Sequence, residues 1–544
     1  MGVAADTTDL PAVAEFFELF KTPWQPVRGG SKYRVIVDAV GSGAEAESAD
    51  GVEAAVRLVF GAAERPVDRR LGVAVEQKPG VVVAEWASQT LPIYGGVAAF
   101  DVAEPLLTAE GRAIGYVKRE GDSTVYRLGY DLFAEVRHLL SDGQPEAYAL
   151  TPTLDLHIAI LRQTLIDAGV PVLEILPRPH GFDFICCLTH DIDFFGIRRH
   201  PFDLTLAGFI GRASVGTLFD LVRGRRSLTE ALRNWGALAT LPLVFLGRLP
   251  DFWRPLQDYA REEKGGTRST FFLVPFSGRP GLAPGGAVEH RRSVSYGAAD
   301  VGDDIRQAVA RGSEIALHGI DAWRDAEAGR QEKAELASIT GQEPPGVRMH
   351  WLYFDRDAAR QLEAAGFGYD STCGYNGAVG YRAGTSQVFR LPGTEQLMEL
   401  PLSIMDTALF YRRRMNLAPH AALSVCRQIV SNARRFGGTV VVNWHDRSLA
   451  PERLWGRSYE RLLAAVRVHR AWFATAGRAV DWFRWRRSIG FVESADGQRV
   501  TLVGSDVGSL LPPGVVRVHR PSRTASPVVE DALFDGSGTM SVTL

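Results

Sequence analysis

The sequence predicts an α/β protein whose central region is a parallel sheet or barrel, preceded by a second α/β region and followed by a small β region. Three observations carry this. Between about 183 and 488, short apolar runs alternate with longer amphipathic stretches, the pattern of parallel strands joined by crossover helices. The helical stretches "VGDDIRQAVARG", "DRDAARQLEAAG" and "PHAALSVCRQIVSNARRFG" finish at Gly312, Gly366 and Gly437, the residue favoured just past a last turn. Several of the apolar runs finish in Asp, His or Arg, which places polar chemistry at one end of the strands.

Residues 1–180 mix strand-like runs ("YRVIVDAV", "GVVVAEW") with helical ones ("AAVRLVFGAAE", "YDLFAEVRHLL"), so they read as an N-terminal α/β accessory domain. "PRPHGFD" is a Pro/Gly-rich hinge. Within 181–488 the strand candidates are "FDFICCL", "STFFLVPF", "EIALH", "GVRMH", "FGYDS", "LMELPLS" and "TVVVNWH". A long, mainly helical insertion at 195–250 follows the first of them. After "WFRWRRS" the pattern changes to alternating β with Gly and Pro turns, which predicts a small β-rich C-terminal module over 489–544.

A chain of 544 residues exceeds one ordinary domain, and its 46% apolar and 23% charged residues are those of a globular protein. Lys plus Arg number 61 and Asp plus Glu 63, a net charge of −2, which gives no general pull towards nucleic acid or an anionic membrane. The cluster Arg223, Arg225 and Arg226 reads as a solvated patch. "MGVAADTTDLPAVAEFF" has neither a basic nor an apolar signal region, and no run reaches the ~18 apolar residues of a membrane span. The nearest, "WGALATLPLVFLGRLPDFW", is broken by Pro242, Arg248 and Pro250 and reads as a helix packed on the core. A cytoplasmic chain without a transmembrane segment is the expectation. Cys186, Cys187, Cys373 and Cys426 show no CxxC spacing, which fits a reduced compartment.

Asp191 and Asp193 follow "FDFICCL", His318 ends "EIALH", Arg348 and His350 end "GVRMH", Asp370 ends "FGYD", and His445 and Asp446 follow "TVVVNW". In parallel α/β barrels the C-terminal strand ends share one face, and that face carries the chemistry. Asp and His offer oxygen and nitrogen to a borderline cation such as Zn²⁺, Co²⁺ or Ni²⁺. A catalytic metal site keeps a position open for water and lowers its pKa. A carboxylate outside the coordination shell can then take a proton, a His opposite can protonate a leaving amine, and an Arg can orient the carboxylate. Asp446 reads as a hydrogen-bond partner. Trp351, Tyr353 and Tyr375 suit either stacking on sugar rings or core packing.

At these residues the sequence resembles the polysaccharide deacetylase superfamily, the NodB-homology group that includes carbohydrate esterase family four, over roughly 183–488. "LTHDID" is similar to the first motif in its Thr-His-Asp-hydrophobic-Asp variant, "GSEIALHG" to the second, "GVRMHW" to the third and "NWHD" to the last. "STFFLVP" looks like the strand after the first motif, and "YDSTCGYNGAVGYRAGT" with "ELPLSIMDTALF" looks like a subgroup often found in surface-glycan loci. The resemblance implies an incomplete (β/α)7 barrel. It implies Asp191 as general base, Asp193 and His318 as metal ligands, Arg348 as the base-orienting residue and His445 as general acid. One departure stands out. The second motif normally supplies two histidines four residues apart, and here position 322 is Ala. His350, Asp321 or His190 is left to complete the ligand set.

The resemblance implies a hydrolase that depends on a divalent cation, zinc or else cobalt or nickel, and removes an N-acetyl group from a sugar residue of a glycan or glycan precursor. Two alternatives remain open. Ala322 also suits a deacetylase-like barrel kept for glycan binding or assembly without turnover, and the same constellation suits amide hydrolysis on a non-sugar substrate.

Overall fold

The apolar run that ends in "THDI" forms strand β1 (Phe184–Ile192), and every one of its residues is buried. Cys186 and Cys187 point to opposite faces of it and both are fully enclosed, as in a sheet covered on both sides. The structure, a computed structural model, describes residues 1–40, 52–224, 226–264, 267–494, 497–508, 510–522 and 527–544; Arg225 lies outside them.

Around β1 stand β2 (Thr270–Leu273), β3 (Glu314–Gly319), β4 (Gly346–Met349), β5 (Tyr369–Asp370), β6 (Met398–Glu399), β7 (Ile404–Met405) and β8 (Thr439–Asn443). Their order is β6–β5–β4–β3–β2–β1–β8–β7, and every neighbouring pair is parallel. Each of the seven expected runs contributes strand. The outer two, β6 and β7, are separated by only four residues. That linking stretch holds both edges: Leu400 N–H donates to the Asp370 carbonyl at 2.8 Å, and Ser403 N–H to the Val441 carbonyl at 3.2 Å. The result is a curled, incomplete β/α barrel, with crossover helices such as Ala326–Thr340 and Pro419–Phe436 between the strands.

After β1 the insertion forms two helices, α1 (Leu204–Val222) and α2 (Leu228–Phe245). Phe209 and Ala213 of α1 and Ala237, Leu241 and Val244 of α2 pack into one cluster with Trp253 and Ala450. A capping box between Ser227 and Glu230 fixes the start of α2.

The chain divides into two compact units, one of residues 181–380 and 393–481, the other of 1–180, 381–392 and 482–544. The second carries an 11-stranded mixed sheet drawn from residues 2–128, with helices Leu10–Phe20, Leu132–Ser141 and Thr153–Asp167. Residues 482–544, which include the stretch 489–544 expected to form a small β-rich module, fall within this unit. Gly514–Arg520 pairs antiparallel with Val172–Pro179, so distant parts of the chain share one small sheet. None of the four cysteines forms a disulfide.

Candidate active site

The parallel register brings the polar strand ends level, with His318 opposite Arg348 and Asp191 opposite Phe272. Asp191, Asp193, His318, His350 and His445 all line one cavity of about 320 Å³. Trp351 lines it too; the Tyr353 ring instead lies under the Arg292 guanidinium at 4.3 Å, and Tyr375 is buried.

Asp191 is gripped from two sides. Arg348 Nη1 donates to its Oδ1 at 2.9 Å, and Asn443 Nδ2 donates to its Oδ2 at 2.7 Å. Arg348 is itself immobilised: Nε and Nη2 donate to the Ser371 carbonyl and hydroxyl, and Nη1 also reaches Thr189 Oγ1. Burial alone would raise the Asp191 pKa, but the Arg348 charge, with His318 and His445, holds it below the usual carboxylate value. The group is therefore an oriented anion.

Asp193, His318 and His350 form a second cluster. His318 Nε2 and His350 Nε2 each lie 3.3 Å from Asp193 Oδ1. One ligand atom from each of the three lies within 4.8 Å of the others. His318 Nδ1 lies 2.9 Å from the Arg348 carbonyl, which must accept, so a proton sits on Nδ1 and Nε2 is the ring nitrogen turned to Asp193. Burial pushes His350 down to about 3, so that imidazole is neutral at neutral pH. Burial would raise Asp193, but the two histidines hold it well below the usual range.

These residues fit a divalent cation. Asp193 Oδ1 is buried and makes no hydrogen bond, an uncompensated acceptor of the kind a cation satisfies. Two imidazoles and one carboxylate are a common donor set for a hydrolytic zinc site. Two ligands ~2.0–2.1 Å from one tetrahedral ion stand about 3.4 Å apart, close to the separations found.

Of the three candidates left by Ala322, His350 is the one that stands beside Asp193 and His318. The turn that places it is unusual: Trp351 and Leu352 both have left-handed backbones, φ 66° and 56°, which side chains larger than glycine adopt at a cost. Arg292 Nη2 braces the turn, donating to the carbonyls of Ile320 and His350. The other two candidates point elsewhere. Asp321 Oδ1 accepts from Leu282 N–H at 3.0 Å. His190 stacks on Tyr259 and bonds the Trp444 carbonyl and Glu263 Oε1 at 2.9 and 2.8 Å.

Across the cavity His445 Nδ1 stands 2.6 Å from Asp406 Oδ1, and the His445 N–H donates to Asp406 Oδ2 at 2.8 Å. Ser448 Oγ holds the same carboxylate. Burial alone would lower His445, but Asp406, aided by Asp193 and Asp191, raises it to about 10, so the ring is a cation at neutral pH. Asp446 accepts from the Phe194 N–H, and burial followed by the Asp193 charge raises it to about 7. Asp370 lies apart, paired with Glu399, and burial raises it to about 6.

Asn443 and Asp406 escaped the sequence reading. Asn443 stands two residues before His445 at a strand end, and Asp406 follows β7 directly, the same position that marked the other site residues. Around the cavity, Arg291, Arg414, Arg447 and Arg453 add positive charge.

No family model matches the chain, and no curated protein matches it either. Solved structures do. A Pseudomonas aeruginosa PAO1 protein named as a polysaccharide deacetylase is 15% identical, covering 56% of this chain and 92% of its own, with a TM-score of 0.34. PuuE allantoinase is 14% identical over 56% of this chain and 91% of its own, with a TM-score of 0.33. The BA3943 mutant, a CE4 family pseudoenzyme, is 10% identical over 56% and 72%, with a TM-score of 0.26. Polysaccharide deacetylases and carbohydrate esterase family four members are thus among the solved structures that this chain resembles.

Proposed function

We propose that the chain is a metal-dependent hydrolase that removes an N-acetyl group from a sugar residue of a glycan or glycan precursor. One observation carries the reading: an Asp-His-His cluster, an oriented carboxylate and a carboxylate-backed imidazolium surround a single cavity. Asp193, His318 and His350 hold the cation. When bound, it supplies a Lewis acid that polarises the acyl carbonyl and makes water more acidic.

The chain's own residues do the rest. Asp191, kept ionised and aimed by Arg348 and Asn443, takes a proton from the attacking water. His445 gives its proton to the departing nitrogen, and Asp406 keeps the ring turned and charged for that step. The acyl carbon gains the water oxygen, the carbon–nitrogen bond breaks, and acetate and a free amine leave. Trp351, 38% exposed at the rim, offers a face for a sugar ring. The arginines of the lining suit a saccharide that carries negative charge.

The test measures two things on purified protein. Zinc content should be about one ion per chain, and acetate should be released from N-acetylhexosamine oligomers. A chain that holds metal but releases no acetate from any of them would move the reading to a non-sugar amide. A chain without metal would move it to a glycan-binding barrel.

A further inference from the structure

The insertion after β1 leaves a large apolar surface uncovered. Helix α1 has 19 residues, is apolar enough and long enough to cross a membrane, and only 17% of it is buried. Its exposed residues Leu204, Gly211, Val215, Leu218 and Val222 follow one helical face. On α2 and its C-cap, Leu228, Leu232, Ala239, Leu243 and Leu246 follow another. The opposite faces of both helices are buried together against Trp253 and Ala450, so both apolar stripes look away from the barrel. Isolated exposed leucines need no explanation, but two adjoining stripes of them mark an interaction surface.

Charge identifies the occupant. Residues 196–250 hold eight arginines against three acidic residues, in a chain whose net charge is −2. The three acids are occupied: Asp203 bonds His200 at 2.7 Å, Asp220 pairs with Arg226 at 3.3 Å, and Glu230 closes the capping box at Ser227. Arg223, Arg233 and Arg248 are exposed beside the stripes. An apolar face rimmed by arginine matches a bilayer surface with anionic headgroups. A crossing orientation does not fit, because α1 carries Arg212 and Asp220 and its Phe209 side is fixed to the protein.

We propose that the α1–α2 hairpin is an interfacial anchor that seats its outer face in the headgroup region of an anionic membrane. The hairpin is tied to the candidate active site. Ala450, in the loop after His445, belongs to its core, and Arg226 Nη2 donates to the Glu452 carbonyl at 3.2 Å. The site would therefore work at a membrane surface, on substrate presented there. The anchor itself does not depend on which bond the site cleaves.

Vesicle flotation of the full chain tests this. The protein should float with vesicles of phosphatidylcholine and phosphatidylglycerol, and much less with phosphatidylcholine alone. The variant L218E/L232E should lose flotation by about tenfold or more while keeping the wild-type circular dichroism spectrum and melting temperature. L204E/V222E, at the most exposed ends of α1, provides the same test if the first pair is poorly folded. R223E/R233E/R248E should lose the preference for anionic lipid. The proposal is overturned if the wild type does not float, or if the glutamate variants float as well as it does. It is also overturned if light scattering shows a dimer that these variants split and no form floats, because the face would then join two copies of the chain.

Discussion

His350 Nε2 stands 3.3 Å from Asp193 Oδ1, and His318 Nε2 stands at the same distance from that oxygen. His350 follows β4 directly, whereas Ala322 comes after β3. His350→Ala should therefore lower zinc affinity by more than about a hundredfold, beyond the 10–100-fold cost of losing a supporting group. Asp321→Ala should leave zinc bound. Metal analysis after dialysis checks both, and retention of zinc by the His350 variant would remove it from the ligand set.

Asp191 makes a different prediction. It bonds Arg348 and Asn443 and lies outside the cluster around Asp193. Asp191→Asn should keep the metal while kcat falls by roughly 10²–10⁴, the usual worth of a general base. Normal turnover in that variant would refute the assigned role.

Much of this was legible in the sequence because buried parallel strands announce themselves as continuous apolar runs, and their ends as abrupt polarity. That pattern marks Asp191, Asp193, His318, Arg348, His350, Asp370, His445 and Asp446, and of these Asp370 lies apart from the cavity. His350 stayed one of three candidates because its aim depends on the left-handed backbone at Trp351 and Leu352, which no residue type there advertises. Asp406 was hidden because "LMELPLS" reads as one strand, whereas the chain crosses the barrel gap and only then enters β7. "WGALATLPLVFLGRLPDFW" was read as core; Ala237, Leu241 and Val244 are indeed buried, but Leu243 and Leu246 face outward. Periodicity gives the existence of a face, and only packing tells which face is covered.

His445 and Asp406 predict a pH dependence. The His445 ring is held at about 10, above its ordinary 6.5, chiefly by the Asp406 carboxylate against the pull of burial. As a general acid it serves while protonated, so activity falls as pH rises through its pKa. Asp406→Asn removes the charge and should move the alkaline limb of kcat towards neutral pH, with the His445 ring titrating lower by NMR. The pair's contribution to stability is complete below about 6.5 and is lost as pH climbs towards 10. An unchanged alkaline limb would mean that another group supplies the proton.

Arg348 is fully buried and bonded to Asp191, Thr189 and Ser371. Arg348→Ala would leave Asp191 charged, enclosed and without its cation, a change that typically costs about 3–5 kcal/mol. Arg348→Lys keeps the charge but cannot reproduce the fork to Ser371, so it should recover stability more than turnover. Denaturant melts set beside kcat separate the two effects, and a Lys variant that loses as much stability as the Ala variant would show that the fork, not the charge, holds the site.

Position 322 tests whether the missing histidine can simply be put back. Ala322 is completely buried. A Cβ added at neighbouring Gly329 would already come 2.8 Å from Ala365 Cβ and 3.5 Å from Ala322 Cβ, so the space is full. Ala322→His should overpack this contact and destabilise the protein by about 1–3 kcal/mol. In His350→Ala it should fail to restore zinc, since Ala322 lies against Gly329 of helix Ala326–Thr340 and does not line the cavity. Zinc restored in A322H/H350A at wild-type stability would show instead that the barrel accepts a ligand from either strand.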